Sequence, residues 1–232
     1  LDNPTASVRQ IQNLERFAAA RSQRDALEKL ADILPSQEEM HGYYQTQVAG
    51  QELWDNLKQQ MQGALLVFKS GLGSAADISF GGFDSHDNHD PIHEELYFRL
   101  ADSIAYFWDY AEVLGVADRI LMVIGSDFGR TNHYNDGFGK DHWPVGSYIV
   151  LEKNAPWGNR VVGVTDALHF AQRIDPKTLK EARDGILVTP AHIHQALQDY
   201  LGLSAFSREL GFSLRGIDSL PLFEPSLQTM RG

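Results

Sequence analysis

Apolar positions in the first third of the chain recur every three or four places. Val8, Ile11, Leu14 and Phe17 form one stripe, and Leu27, Leu30 and Ile33 continue it up to Pro35. Such a period, closed by a proline, predicts helix. A second stripe, Leu53, Leu57, Met61, Leu65 and Phe68, runs into Gly71-Leu72-Gly73-Ser74, whose glycines suit a helix C-terminus. Residues 1–75 are therefore expected to be mainly helical, the second stripe packing on a sheet. From Ile78 the pattern changes to short apolar runs separated by helical stretches. The runs are Ile78 to Phe83, Ile120 to Gly125, Ser147 to Leu151 and a weaker one from Arg160 to Val164.

Between them, Glu94 to Leu114 carries Leu96, Leu100, Ile104, Phe107 and Ala111 on one helical face. Pro190 to Leu201 forms a last helix with Thr189 as N-cap, proline at the first helical position and Gly202 as the stop. Strands alternating with helices predict an α/β fold with a parallel sheet covered on both faces. The expected organisation is a single domain over 1–232, in which 76–225 forms the α/β portion. Its polar clusters would gather at the carboxyl edge of the sheet, where such folds place ligands.

Composition narrows the chemistry. With 232 residues, 43% of them hydrophobic, the chain can fill one sizeable core. Thirty-one acidic against 20 basic residues give a net charge of −11, which argues against nucleic acid or an anionic membrane as the main partner. No apolar run approaches the roughly 20 residues of a membrane span. Cysteine is absent, so a bound metal must be held by oxygen and imidazole, as zinc, manganese, magnesium or calcium can be.

Three clusters carry such donors. The first is Gly81-Gly82-Phe83-Asp84-Ser85-His86-Asp87-Asn88-His89-Asp90. In a loop after a strand, Asp84 and His86 can turn toward one divalent ion. Asp87, His89, Asp90 and His93 crowd the same stretch and are read first as polar residues around a helix start near Pro91, with Asp90 as a natural cap. The second is Ser126-Asp127-Phe128-Gly129-Arg130-Thr131. Asp127 there is either a ligand or a cap, and Arg130 offers a planar fork for phosphate, sulfate or carboxylate, with a salt bridge as the alternative. The third, Gly139-Lys140-Asp141-His142-Trp143-Pro144, contributes His142 as a third or fourth ligand. His133, His169, His192 and His194 have no supporting pattern and read as ordinary polar residues.

In this order, with Asn135 between the second and third clusters, the motifs resemble the DUF1501 proteins, a branch similar to the alkaline phosphatase and sulfatase superfamily. The resemblance runs from about Ile78 to Phe223. It implies a three-layer αβα sandwich, alkaline-phosphatase-like, with a helical N-terminal segment and a divalent metal centre of zinc, manganese or calcium. The implied ligands of one metal are Asp84, His86 and His142. Asp127 matches the Asp of a second site, and Phe128 stands where that site's His would be. Arg130 would hold the anion of a small phosphate or sulfate ester. The superfamily's nucleophile, a Ser or Thr at a helix N-terminus, has no counterpart in this sequence. The chain is accordingly expected either to be a fragment of a longer protein or to lack the family's first half. Export is expected from the same resemblance. Two readings follow: a metal-dependent hydrolase of phosphate or sulfate esters, or a catalytically inactive phosphatase-like domain serving in binding or assembly.

Overall fold

A computed structural model describes residues 24–211, 214 and 216–225. These residues combine helices with three two-stranded antiparallel sheets, and they form no closed barrel. The chain packs as two compact units, one reaching Ile120 and taking in Gly137–Gly139, the other formed by Leu121–Asp136 and the chain from Lys140 onward. The stripe of Val8, Ile11, Leu14 and Phe17 lies outside the described residues.

In the first unit, helix α1 (residues 24–33) stops before Pro35, as its stripe predicts. Next comes a hairpin that the sequence pattern did not disclose. Strand β1 (Tyr44–Val48) pairs with β2 (Gln51–Asp55) around Ala49 and Gly50, both at positive φ (50° and 81°). Two such residues give the turn that matches the twist of a two-residue hairpin. Leu53 was expected to begin the second helix; it lies instead on β2. Helix α2 (Leu57–Ser70) starts after Asp55, whose Oδ1 accepts from the Leu57 N–H at 3.2 Å. Leu57, Met61 and Leu65 are buried, and Gly71 ends the helix at φ 81° with its N–H on the Phe68 carbonyl.

The strand expected over Ile78 to Phe83 forms no ladder. Gly81 and Gly82 interrupt it, Gly82 at φ 101°. A side-chain amide takes the place of a partner strand: Gln60 Nε2 donates to the Ser79 carbonyl at 2.9 Å, and the Ser79 N–H donates to Gln60 Oε1 at 3.0 Å. Helix α3 (His89–Val113) begins ahead of the expected Glu94, and its cap is Asn88 at φ 44° rather than Asp90. Asp90 falls in the first turn, where a carboxylate faces the positive end of the helix dipole. Leu96, Phe107 and Ala111 are buried as predicted, joined by Ile92, His93, Arg99 and Ser103.

The hairpin is tied to α3 by charge. Arg99 pairs with Asp55 of β2 and, through Nε at 2.9 Å, with Glu95. Lys58 pairs with Asp102, and the Tyr44 ring lies 5.5 Å from the Lys58 ammonium and 5.7 Å from the Arg99 guanidinium. Burial pushes the nearby Tyr106 hydroxyl up to about 12, with Tyr110 adding to the shift. An unfolded tyrosine ionises near pH 10. Between about pH 10 and 12 the unfolded chain therefore releases a proton that the folded chain retains. The resulting contribution to stability is complete below about pH 10 and is lost as pH rises through 12. An ultraviolet absorbance titration is expected to show Tyr106 ionising near pH 12.

In the second unit, β3 (Leu121–Ile124) and β6 (Ile149–Glu152) confirm the runs expected at Ile120 to Gly125 and Ser147 to Leu151, but they pair antiparallel. The parallel sheet expected from Ile78 onward is not among the described ladders. Val123 and Ile149 are exposed, whereas a parallel sheet needs both faces covered. Short strands β4 (Gly129–Arg130) and β5 (His142–Trp143) form another antiparallel pair. Arg160 to Val164 forms no strand: Val161 is 92% exposed, and Arg160 Nη2 donates to the carbonyls of Pro221 and Leu222.

Helix α4 (Pro190–Tyr200) agrees with its prediction, and a short α5 (Ser204–Glu209) follows. His192 Nδ1 accepts the Thr189 N–H at 3.1 Å and lies 2.8 Å from its hydroxyl, so the pair closes the N-terminus. Thr189→Ala is expected to destabilise α4 by about 1 kcal/mol, seen as faster amide exchange confined to its first turn.

Candidate functional site

Residues 83–86 run alongside the start of α3 in alternating orientation. Ser85 is buried at 4% exposure, while Asp84 and His86 are exposed. Ser85 Oγ lies 2.8 Å from His89 Nδ1, and two residues back the Phe83 carbonyl accepts from His93 Nε2 at 3.0 Å. The match has a metric basis. Two residues of extended chain span about 6.6 Å, and four residues of helix rise about 6 Å. His89 and His93, one turn apart with ring centroids 3.9 Å apart, can therefore grip positions 85 and 83. The Phe83 ring packs edge-on against Phe80, His93 and Tyr97.

Side chains of opposite parity then share the other side. Asp84 Oδ1 and His86 Nε2 are 3.0 Å apart. Two donors about 2.1 Å from one ion are separated by about 3.0 Å at a right angle and about 3.4 Å at the tetrahedral angle. This carboxylate–imidazole pair thus fits two positions on a zinc or manganese ion, and without an ion the same distance makes an ordinary hydrogen bond.

The loop is also held from the side of Gly137–Gly139. The Asn88 and His89 N–H groups donate to the carbonyls of Gly137 (3.1 Å) and Phe138 (3.0 Å). A Cβ on Gly139 would overlap the carbonyl carbon and oxygen of His86. Gly139→Ala must displace this backbone and is expected to cost about 1–3 kcal/mol, read as a lowered midpoint in urea.

Elements of the second unit position the remaining candidates. Asp127 is exposed in the turn after β3, a turn closed by Ser126 Oγ donating to the Phe128 carbonyl at 2.9 Å. Arg130 and His142 stand opposite each other in the β4–β5 pair. The His142 ring is stacked on Phe128, with centroids 3.8 Å apart and planes 19° apart. Phe128, where the resemblance led us to expect a second-site histidine, instead packs face to face with the His142 ring. Arg130 Nη1 donates to the Lys140 carbonyl at 2.8 Å, and its guanidinium lies 5.1 Å from the Phe128 ring. Thr131 braces the same hairpin: its hydroxyl donates to the His133 carbonyl at 2.8 Å and accepts the Asp141 N–H at 3.2 Å.

The family model for DUF1501, described as a protein of unknown function, matches residues 3–202. The chain belongs to the DUF1501 family. No curated protein and no solved structure matches it. In this DUF1501 chain the match takes in α1, the β1–β2 hairpin and α2, which the motif resemblance from Ile78 onward had left aside. It stops at Gly202, ahead of α5 and of Phe223, where the resemblance was expected to end.

The other histidines of the DUF1501 chain have local partners. His133 Nδ1 lies 2.9 Å from Asn132 Oδ1, His169 supplies a carbonyl to Trp143 Nε1 at 2.8 Å, and the ring of His194 stands edge-on to Tyr148. Sequence reasoning missed the parts of Ser85 and His93. The available signal was a pair of histidines at i and i+4 on a helix that follows a loop carrying donors at i and i+2.

Proposed function

We propose that this DUF1501 chain is a metal-dependent hydrolase of phosphate or sulfate esters, with a scaffold of the three-layer alkaline-phosphatase and sulfatase kind. The observation that supports this most directly is the Asp84–His86 pair, with its donor atoms 3.0 Å apart on an exposed edge of the loop. The ligand set is Asp84 and His86 with Asp127 and His142, following the order of the sequence motifs. A divalent zinc, manganese or calcium, when bound, polarises an ester oxygen and lowers the pKa of a coordinated water. The chain's own residues position the small anionic substrate. Asp84 and His86 present a carboxylate and an imidazole on one side of the loop, and Arg130 contributes a cation whose fork matches a phosphate or sulfate edge. An acidic chain of net charge −11 suits a small ester better than a nucleic acid.

The test is hydrolysis of p-nitrophenyl phosphate and p-nitrophenyl sulfate after chelation and after re-addition of zinc, manganese or calcium. Metal-restored turnover is the expected result. The second reading, an inactive phosphatase-like domain, draws on the engagement of Arg130 with the Lys140 carbonyl and Phe128, a structural use of the proposed anion-binding residue. Metal binding without hydrolysis of either ester would favour it.

A further inference from the structure

We infer that His89 and His93 are positioning residues for the Asp84–His86 ligand pair, a role that rests on the metal-binding reading above. The geometry carries the argument. His93 Nε2 must bear the proton it donates to the Phe83 carbonyl at 3.0 Å, and His89 Nδ1 meets Ser85 Oγ at 2.8 Å. With positions 83 and 85 fixed to α3, the intervening Asp84 and the following His86 are turned to the opposite side, where their donor atoms converge. The anchors belong to a rigid element: Ile92 and Leu96 are buried on the same helix, and His93 is itself buried.

Ser85 beside an imidazole also has the form of a nucleophile and its base. Ser85 is 4% exposed, and its Oγ lies against α3. The hydroxyl is a link between loop and helix. Partners that orient metal ligands from behind typically change affinity by about 10- to 100-fold when removed.

Titration of the full chain with zinc, manganese or calcium, followed by calorimetry, tests the inference, alongside thermal melts of each variant. His93→Ala and Ser85→Ala are expected to weaken metal binding by about 10-fold or more. His93→Gln, whose amide can still donate to the Phe83 carbonyl, is expected to recover most of that loss. Nitrogen NMR of the metal-free protein is expected to show His93 as the Nε2–H tautomer, a readout independent of any metal. Should His93→Ala fail to fold, Ser85→Ala, which removes one oxygen atom, carries the test. If the parent binds metal and Asp84→Ala abolishes binding while His93→Ala and Ser85→Ala bind as the parent does, the positioning role is overturned and the metal site stands. If the parent binds none of zinc, manganese and calcium, the metal reading fails and takes the positioning role with it.

Discussion

Replacing Arg99 with alanine is expected to destabilise the first unit by about 3–5 kcal/mol. Arg99 is 5% exposed and holds two carboxylates, Asp55 at the end of β2 and Glu95 one turn earlier on α3. Removing the guanidinium leaves Asp55, itself buried, without a counter-charge inside the protein. Its desolvation is then uncompensated, and total stabilities of domains this size are only about 5–15 kcal/mol. The pair also joins hairpin to helix, so loss of Arg99 releases β1 and β2 as well. Urea unfolding followed by circular dichroism measures the change. Arg99→Met combined with Asp55→Leu is expected to regain most of the loss, since an apolar pair of similar size avoids the buried charge altogether. Lys58→Ala provides the contrast. Its partner Asp102 has 46% of its side chain exposed, so water already screens that pair and the ion-pair contribution is expected to stay below about 1 kcal/mol.

That network was invisible in the sequence, and the reason is physical. Arg99 and Asp55 stand far apart along the chain, and each looks like a surface charge when read alone. What the sequence did disclose was local. The stripe Leu57, Met61 and Leu65, the face Leu96, Phe107 and Ala111, and the Thr189-Pro190 start each rest on helical spacing or a capping preference. They reappear as α2, α3 and α4. The β1–β2 hairpin escaped because its strands are five residues long and rich in glutamine, and because Leu53 happens to continue the stripe of α2. For β3 and β6 the residues specified strand, but a strand's own residues do not state the direction of its partner.

The candidate site divides along the same line. Asp84 and His86 were legible as a pair because the two donors are separated by one residue, and in a loop both can turn toward one ion. Ser85 and His93 act through contacts with partners outside their immediate sequence neighbours, as does Phe128, whose ring supports His142 from across the hairpin. Reading Phe128 only as a missing histidine overlooked what an aromatic ring does for an imidazole packed on its face. Arg130 was expected to hold an anion or to form a salt bridge; its Nη1 instead donates to the Lys140 carbonyl, a contact set by the hairpin and not by neighbouring residues in sequence.

Asp84→Ala and His86→Ala are each expected to weaken metal binding by roughly 10²- to 10³-fold, with little change in melting temperature. The magnitude follows from about 10–16 kcal/mol for a zinc site spread over about four coordination positions, one of them left to water, or about 2.5–4 kcal/mol for each. Little change in the melt is expected because both side chains are exposed and their backbone is held independently by α3 and by Gly137–Phe138. Hydrolysis of the phosphate or sulfate ester, where the parent shows it, should fall at least as steeply as occupancy. Arg130→Ala should separate the steps: kcat/KM lowered by about 10²-fold through loss of a cation at the developing charge, a larger change than any in metal affinity. A metal-binding protein in which Arg130→Ala lowers only the melting temperature would assign that residue to the Phe128–Lys140 hairpin, and the ester chemistry would then need another anion-binding group or would be absent.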